Sequence, residues 1–338
     1  MAEEGADRTA AVLAIDGGNS KTDVALVAAD GTLLTSVRGP GASHEDFGVG
    51  EAMRRLGEIV RRAADRAGLP PGGLLARHTS ACLAGADLPE EEAQLTAAIQ
   101  QQGWSMTSAV ANDTFAVLRA GLTPAEGERP WGIAVTCGAG INCVGVGPDG
   151  QTTRFLAFGT LSGDWGGGIG LGREVIWCAA RAEDGRGEPT ALRAAVAAFY
   201  GMGSMHEVAV AFHLDQLTED DLIRLTVVLF DAAAAGDAVA RSLVELQAEE
   251  ICAMAVTAIR RLDLNGAPGI PVVLGGVVLE ARNPLLTDAI TRRLAKAVPG
   301  AVTCVVDTPP VTGAALLGLD YLGTGPAAEK RLRGGDPG

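Results

Sequence analysis

Aromatic residues make up only 4% of this sequence, while glycine is abundant at 46 of 338 residues. So many small residues suit tight turns and close packing of helix on sheet. No two of the six cysteines form a C-x-x-C pair, and none joins a Cys/His cluster with zinc spacing. Cys82, Cys137, Cys143, Cys178, Cys252 and Cys304 lie mostly within apolar runs, as buried free thiols do. That usage predicts a reducing, cytoplasmic setting without disulfides or a structural metal. Positive charge is also short, and the formal net charge is −14. The balance excludes a basic nucleic-acid footprint, and no basic amphipathic helix points to a membrane surface. No apolar run reaches the ~18 residues of a membrane span. Residues 1–9 are acidic and polar, lack the apolar core of a signal peptide, and are expected to be disordered.

What is present is a large apolar fraction, 47% over 338 residues, enough for two domains. The organising stretch is Leu13 to Val27. An apolar run ends at Asp16, the polar turn Gly17-Gly18-Asn19-Ser20-Lys21-Thr22 follows, and a second apolar run closes at Asp30-Gly31. The pattern predicts a hairpin whose turn brings backbone N–H groups close to an anion. A carboxylate at its mouth suits a hydrated Mg²⁺. An ordinary glycine turn explains the stretch equally well.

Further along, a third strand is predicted over 32–37 and the loop Gly39–His44 follows. Helical spacing runs over 49–67, a strand over 78–83, a helix over 90–101, a strand over 105–110 and a short helix over 115–120. A junction is expected over 121–130. Then the opening layout returns: an apolar run from Trp131, the small-residue turn Thr136-Cys137-Gly138-Ala139-Gly140, a second apolar run from Asn142, and Pro148-Asp149-Gly150. Two such hairpins about 120 residues apart suggest a duplicated half, each opening with its own phosphate-binding turn. Loop and turn fill 159–172, and helices are predicted over about 170–261 with breaks at 184–189, 201–204 and 236–237. A buried strand over 271–274 ends at Gly275-Gly276. Helices over 284–297 and 312–321 flank a strand over 302–306, and the tail from residue 323 is expected to be disordered.

Asp113 follows a strand, with Asn112 before it, where open α/β sheets place ligands. It could take a proton from a substrate hydroxyl during phosphoryl transfer, or merely cap the next helix. Asp164, among glycines in Ser162–Gly168, could accept two sugar hydroxyls or simply sit in a turn. Gly275-Gly276 permits close approach of a nucleotide, or is only a strand-to-helix turn. Lys21 could neutralise phosphate or be solvated, and His44 reads as an exposed loop histidine.

Taken together, these motifs resemble the BadF/BadG-type ATPase family, which contains N-acetylglucosamine kinases and belongs to the actin-like superfamily. The resemblance rests on Asp16–Thr22 as a first phosphate loop, Asn112-Asp113 as a catalytic pair and Cys137–Cys143 as a second phosphate loop. Gly163-Asp164-Trp165-Gly166 resembles a sugar loop, Val273–Val277 an adenosine motif, and Pro309–Ala315 the start of a last helix. It spans about residues 11–322. Ala139 and Ile141 stand where the family has hydroxyls, Trp165 where it has Glu, Ala84 where a Ser is frequent, and Ser43 where an Asn is common. The cysteines do not match the dimer-bridging pattern of the dehydratase activators, and the zinc motif of the ROK kinases is missing.

The resemblance implies two actin-like, ribonuclease H-like α/β domains with an interdomain cleft. Residues 10–121, completed by a helix over 308–323, would form one and residues 122–307 the other, with 324–338 disordered. It implies ATP, with Gly17, Gly18, Asn19, Ser20, Lys21, Thr22, Gly138, Ala139, Gly140, Gly275 and Gly276 as binding residues, and Mg²⁺ near Asp16. Asp113 would be the catalytic base. Ser43, His44, Gly85, Asn112, Asp113, Asn142, Gly159 and Asp164 would bind an amino sugar, N-acetylglucosamine or glucosamine, phosphorylated at its 6-hydroxyl. A homodimer without nucleic-acid or membrane partners is implied as well. An ATPase that activates a protein partner and a non-catalytic sugar or nucleotide sensor remain the alternatives.

Overall fold

The computed structural model describes residues 10–70, 73–125 and 128–335. The expected disorder of residues 1–9 and 336–338 lies outside them. Two compact units result: residues 1–131 with 306–338, and residues 132–305. The divisions fall after 131 and 305, against the expected 121 and 307.

In the first unit, β1 (Ala10–Gly17), β2 (Lys21–Val27) and β3 (Leu33–Pro40) form an antiparallel meander. After α1 (His44–Arg66), β4 (Ala76–Leu83) joins β1 in parallel. After α2 (Pro89–Gln101), β5 (Ser105–Asn112) joins β4 in parallel, and α3 (Asp113–Gly121) follows directly. The strand order is β3-β2-β1-β4-β5. In the second unit β6 (Gly132–Cys137), β7 (Ile141–Val146) and β8 (Thr152–Arg154) repeat the meander. Five helices intervene: α4 (Gly167–Asp184), α5 (Leu192–Phe199), α6 (Met205–His213), α7 (Glu219–Ala234) and α8 (Ala238–Arg261). Then β9 (Ile270–Gly275), α9 (Val277–Glu280), α10 (Pro284–Ala297) and β10 (Ala301–Val305) complete the sheet, in the order β10-β9-β6-β7-β8. Read from the meander inward, the two orders are the same, so the hairpin echo in the sequence reflects a repeated sheet. This mixed α/β arrangement is the actin-like fold.

Strand alternation sorts the first unit's core into two layers. Leu13 and Ile15 of β1 and Val24 and Leu26 of β2 pack with α1. Val12 and Ala14, with Ala25 and Val27, face the other way, onto α11 (Pro310–Leu322), Ala116 of α3, and α12 (Pro326–Gly334). The same parity governs where polar side chains at the strand ends project.

Three local expectations need correction. The loop over 39–44 is shorter, because β3 reaches Pro40 and Ser43 caps α1, its Oγ accepting from the Glu45 N–H at 3.2 Å. Apolar spacing begins only after Gly48, whose φ of 74° kinks the helix, so the first turn carries no periodic signal. Asp113 does not cap α3: Asn112 does, its Oδ1 accepting from Thr114 N–H at 2.9 Å. The tail expected to be disordered from 324 forms α12, whose Ala328 and Leu332 are buried in the core.

An arginine cluster holds α12 in place. Arg119, 2% exposed near the end of α3, donates to both oxygens of Asp320 at 2.7 and 3.2 Å and to both of Glu329 at 2.9 and 2.6 Å. Arg333 donates to Glu329 at 2.8 Å and to the carbonyls of Arg119, Ala120 and Leu122 at 3.1, 2.8 and 2.5 Å. Cations suit the carbonyl end of a helix, so α12 terminates α3. Arg119→Ala would leave two carboxylates facing each other at a largely buried contact. We expect a loss of about 3 kcal/mol, the low end for a broken buried pair because Asp320 is partly exposed, measured by guanidinium unfolding.

Candidate active site

The first unit gathers its polar groups at the carboxyl ends of β1 and β5. Register pairs Asp16 with Asp23 across β1 and β2, and Asp23 with Arg38 across β2 and β3. On the other side Asp16 pairs with Cys82 of β4. Directly opposed residues share a face, so Arg38, Asp23, Asp16 and Cys82 form one row on the α3–α11 side of the sheet. Arg38 holds Asp23 through two 2.8 Å bonds, Nε to Oδ1 and Nη2 to Oδ2. Asp16 has no such partner. Burial, and after it the charges of Asp113 and Asp23, push its carboxyl from the ordinary 3.8 up to about 7, against the smaller pull of Lys21 and Arg38.

Asp113 opens α3 immediately after β5 and is half-buried. Burial raises its pKa, the Thr114 hydroxyl at 3.4 Å opposes this, and the charge of Glu45 adds to the rise. Asn112 is held on three sides. Its Nδ2 donates to Asp87 at 2.7 Å, its Oδ1 caps α3, and its own N–H donates to Glu92 at 3.1 Å. Asn112 therefore orients the start of α3, and with it Asp113. Glu91 in turn accepts from the Asp87 and Leu88 N–H groups at 3.0 and 2.9 Å. The Glu45 carboxyl lies over Gly85: a Cβ there would stand 2.5 Å from its Cδ. Gly85, Glu45 and Asp113 thus belong to one neighbourhood.

The turn between β1 and β2 closes through Gly18 N–H to the Lys21 carbonyl at 2.9 Å, leaving Asn19, Ser20 and Lys21 exposed. Thr22 differs from its neighbours. It pairs with Gly17, has the parity of Val24 and so faces α1, and is fully buried with no partner for Oγ1. Its hydroxyl is therefore set into the core beneath the turn. Ser43 is spent on its cap, while His44 is half-buried at the first position of α1.

The second unit builds its own turn over 138–140, closed by Gly138 N–H to the Gly140 carbonyl at 2.9 Å, with Ala139 and Gly140 exposed. Two elements back it. From α4, Gly168 N–H donates to the Gly138 carbonyl at 2.8 Å and Ile169 N–H to the Ala139 carbonyl at 3.0 Å. From the end of β9, Gly276 lies against Cys137, where a Cβ would come within 2.6 Å of backbone and φ is +86°. Only glycine meets both conditions. The positions matching Asp16 and Asp23 hold Thr136 and Asn142, which pair across β6 and β7. The acidic pair is thus confined to the first unit. Asn142 Oδ1 accepts from Cys143 N–H at 2.7 Å. Asp164 is tied within its own loop: Ser162 Oγ donates to it at 2.5 Å, and its N–H donates to the Gly159 carbonyl at 2.9 Å.

None of the six cysteines, all among the described residues, is in a disulfide, and burial pushes the Cys137 thiol up to about 12. Among the described residues no helix is long and apolar enough to cross a membrane, and no group of three or more His, Cys, Asp or Glu could hold a metal ion. A caged metal therefore has no counterpart there. A hydrated Mg²⁺ fits better, since it uses one or two carboxylates and otherwise water and phosphate oxygens, and Asp16 supplies an unpaired carboxylate among like charges.

Sequence reasoning missed Asp23, Arg38, Glu45, Asp87, Glu92 and Gln247. Asp23 falls between the polar turn and the apolar run that starts at Val24, and Glu45 precedes the kink that hid the start of α1. The rest act by contacts that spacing does not carry.

A model of the BadF/BadG/BcrA/BcrD ATPase family matches residues 13–318. An N-acetylmuramic acid/N-acetylglucosamine kinase of Clostridium acetobutylicum is 27% identical over 271 residues, 79% of this chain and 85% of that protein. An N-acetyl-D-glucosamine kinase of Dictyostelium discoideum is 23% identical over 317 residues, 91% and 97% of the two chains. A crystal structure from Chromobacterium violaceum, a proposed N-acetylglucosamine kinase, superposes with a TM-score of 0.71 at 23% identity, covering 92% of this chain and 99% of that one.

The raised Asp16 pKa makes a prediction that needs no ligand. The folded state keeps a proton on Asp16 where the unfolded state has lost it, so stability falls as pH rises from about 4 to about 7 and levels off above. Asp16→Asn removes that burden. In thermal melts the variant should exceed the wild type at pH 8, with the gap closing toward pH 4. A wild type equal to the variant at pH 8 would contradict the assignment.

Proposed function

The chain belongs to the BadF/BadG/BcrA/BcrD ATPase family, and from that premise we propose that it is a kinase transferring the γ-phosphoryl group of ATP to the 6-hydroxyl of an amino sugar. The observation that carries this reading is Asp113: a carboxylate of raised pKa at the end of β5, relieved of capping duty by Asn112. N-acetylglucosamine and glucosamine are the proposed substrates, and the named activities of the curated relatives support the choice.

In this reading an Asp113 oxygen accepts the 6-hydroxyl proton as the sugar oxygen bonds to the γ-phosphorus, and the β–γ bridging oxygen leaves on ADP. Asn112 orients Asp113 through α3, and burial, with the charge of Glu45 adding to it, keeps its basicity above that of an ordinary carboxylate. The turns 17–22 and 138–140 are the proposed phosphate-binding elements, acting through backbone N–H groups and Lys21. Since the Thr22 hydroxyl is buried, its part is to shape the turn. Gly275 and Gly276 are assigned to the nucleotide. Ser43, His44, Gly85, Asn142, Gly159 and Asp164 are assigned to the sugar's surroundings. Asp16 would hold a hydrated Mg²⁺, which supplies charge neutralisation at the phosphates when bound. A homodimer in the cytoplasm completes the proposal.

Coupled ADP release over N-acetylglucosamine, glucosamine, N-acetylmuramic acid and glucose tests the reading. We expect turnover that depends on an amino sugar, and a fall in kcat of about 10²–10⁴ for Asp113→Asn. ADP release independent of every sugar would point instead to an ATPase serving a protein partner, and ligand binding without turnover to a sensor.

A pH profile tests the base more finely. In the free enzyme Asp113 must be deprotonated, so kcat/KM should rise along an acidic limb set above the usual carboxylate range. Glu45→Gln removes a like charge, and the limb should move to lower pH. An unmoved limb would remove Glu45 from the environment of the base.

A further inference from the structure

Gln247 lies in the middle of α8 and is fully buried, yet polar. Its Oε1 accepts the N–H of Gly167 at 3.1 Å. Its Nε2 is buried with no partner. A buried amide with an unspent donor is a poor choice if packing alone is the purpose, since an apolar side chain of the same length would avoid the desolvation. What the amide touches accounts for its presence. Gly166 has φ +113°, and a Cβ on it would stand 2.4 Å from Gln247 Oε1 and 2.6 Å from Nε2. Gly167 has φ +73°, and a Cβ on it would stand 2.6 Å from the Ala139 carbonyl oxygen. One residue on, Gly168 and Ile169 donate to the Gly138 and Ala139 carbonyls. The opening of α4 has no side-chain cap of its own, and Gln247 supplies the acceptor from 80 residues away.

We propose that Gln247 is a positioning residue for the turn 138–140. Its amide fixes the left-handed Gly166-Gly167 pair, that pair sets the start of α4, and two α4 N–H groups fix the carbonyls of the turn. The carbonyls of 138 and 139 are thereby spent inward, and the peptides that carry them are locked in orientation. The same amide borders the end of the loop holding Asp164, so the 159–166 segment and the 138–140 turn share one anchor. The proposal rests on the reading of 138–140 as a nucleotide phosphate turn.

The test measures ADP binding to the full chain by calorimetry with Mg²⁺ present, alongside steady-state KM for ATP and thermal melts. Gln247→Met keeps length and volume but loses the acceptor. Gln247→Glu keeps the acceptor, and a carboxylate is favoured at a helix N-terminus. Losing one buried hydrogen bond that orients the site should weaken ADP by about tenfold or more in Gln247→Met and raise KM for ATP in parallel. Gln247→Glu should stay within about threefold of wild type by the same measure. Gly166→Ala drives a methyl group into the amide from the other side and should reproduce the Gln247→Met loss, which covers the case in which Gln247→Met fails to fold. Wild-type ADP affinity in Gln247→Met or in Gly166→Ala overturns the proposal, and so does an equal loss in Gln247→Met and Gln247→Glu. Lowered melting temperature with unchanged ADP affinity would also overturn it, as a structural role only. A wild type that binds no ADP sinks the nucleotide reading itself, and the proposal with it, before any variant is compared.

Discussion

Negative charge gathered at strand ends is the constraint around which the first unit is built. The charges of Asp113 and Asp23 both bear on Asp16, and the guanidinium of Arg38 is committed to Asp23. Removing charge from water is costly unless a counter-charge is near. A fold that keeps Asp16 unpaired in this row is storing an electrostatic debt that a cation or a proton would discharge. Much of the surrounding structure serves to hold that arrangement: register sets Asp16 beside Asp23, Asn112 frees Asp113 from capping, and Glu45 leans over Gly85.

The second unit repeats the strand order without the charge. Thr136 and Asn142 occupy the matching cross-strand positions, and the turn is held by backbone groups from α4 and by the close approach of Gly276. A duplicated sheet has thus taken two physical solutions for a polar turn. One concentrates carboxylates, and the other orients peptide dipoles. The acidic pair therefore belongs to one half only, an asymmetry that the shared topology would not suggest.

Much of this was legible from residue order. Two apolar runs around a glycine turn specify a hairpin whether or not the turn binds anything, and the second copy after Trp131 made the repeat visible. Strand ends at Asn112 and Gly275 could be read because apolar runs stop there. Other features were hidden for identifiable reasons. Ser43 caps a first helical turn that Gly48 separates from the amphipathic stretch, so Glu45 carried no periodic signal. Asp23, between the polar turn and the apolar run, carried no signal until register set it beside Asp16 and Arg38. Gln247 lies in a stretch where Glu245, Glu249 and Glu250 alternate with Leu246 and Ala248, and an amide that reaches another helix leaves no mark in spacing. The tail from Pro326 has the composition of a linker, yet Ala328, Leu332 and the arginines find a partner in α3. Long-range contacts of this kind depend on the folded chain, and local pattern does not report them.

The arginine stitch between α12 and α3 has a temporal meaning. The first unit is assembled from residues on both sides of the second, which is continuous in sequence. During synthesis, the sheet face bearing Val12 and Ala14 must wait for α11, and the carbonyl end of α3 for Arg333, until all of residues 132–305 have been made. The helix that begins with Asp113 is thus made before residues 132–305 and secured only after them. A nascent chain that has reached residue 305 therefore carries its acidic row in a half-closed unit while the other unit already has every residue it needs.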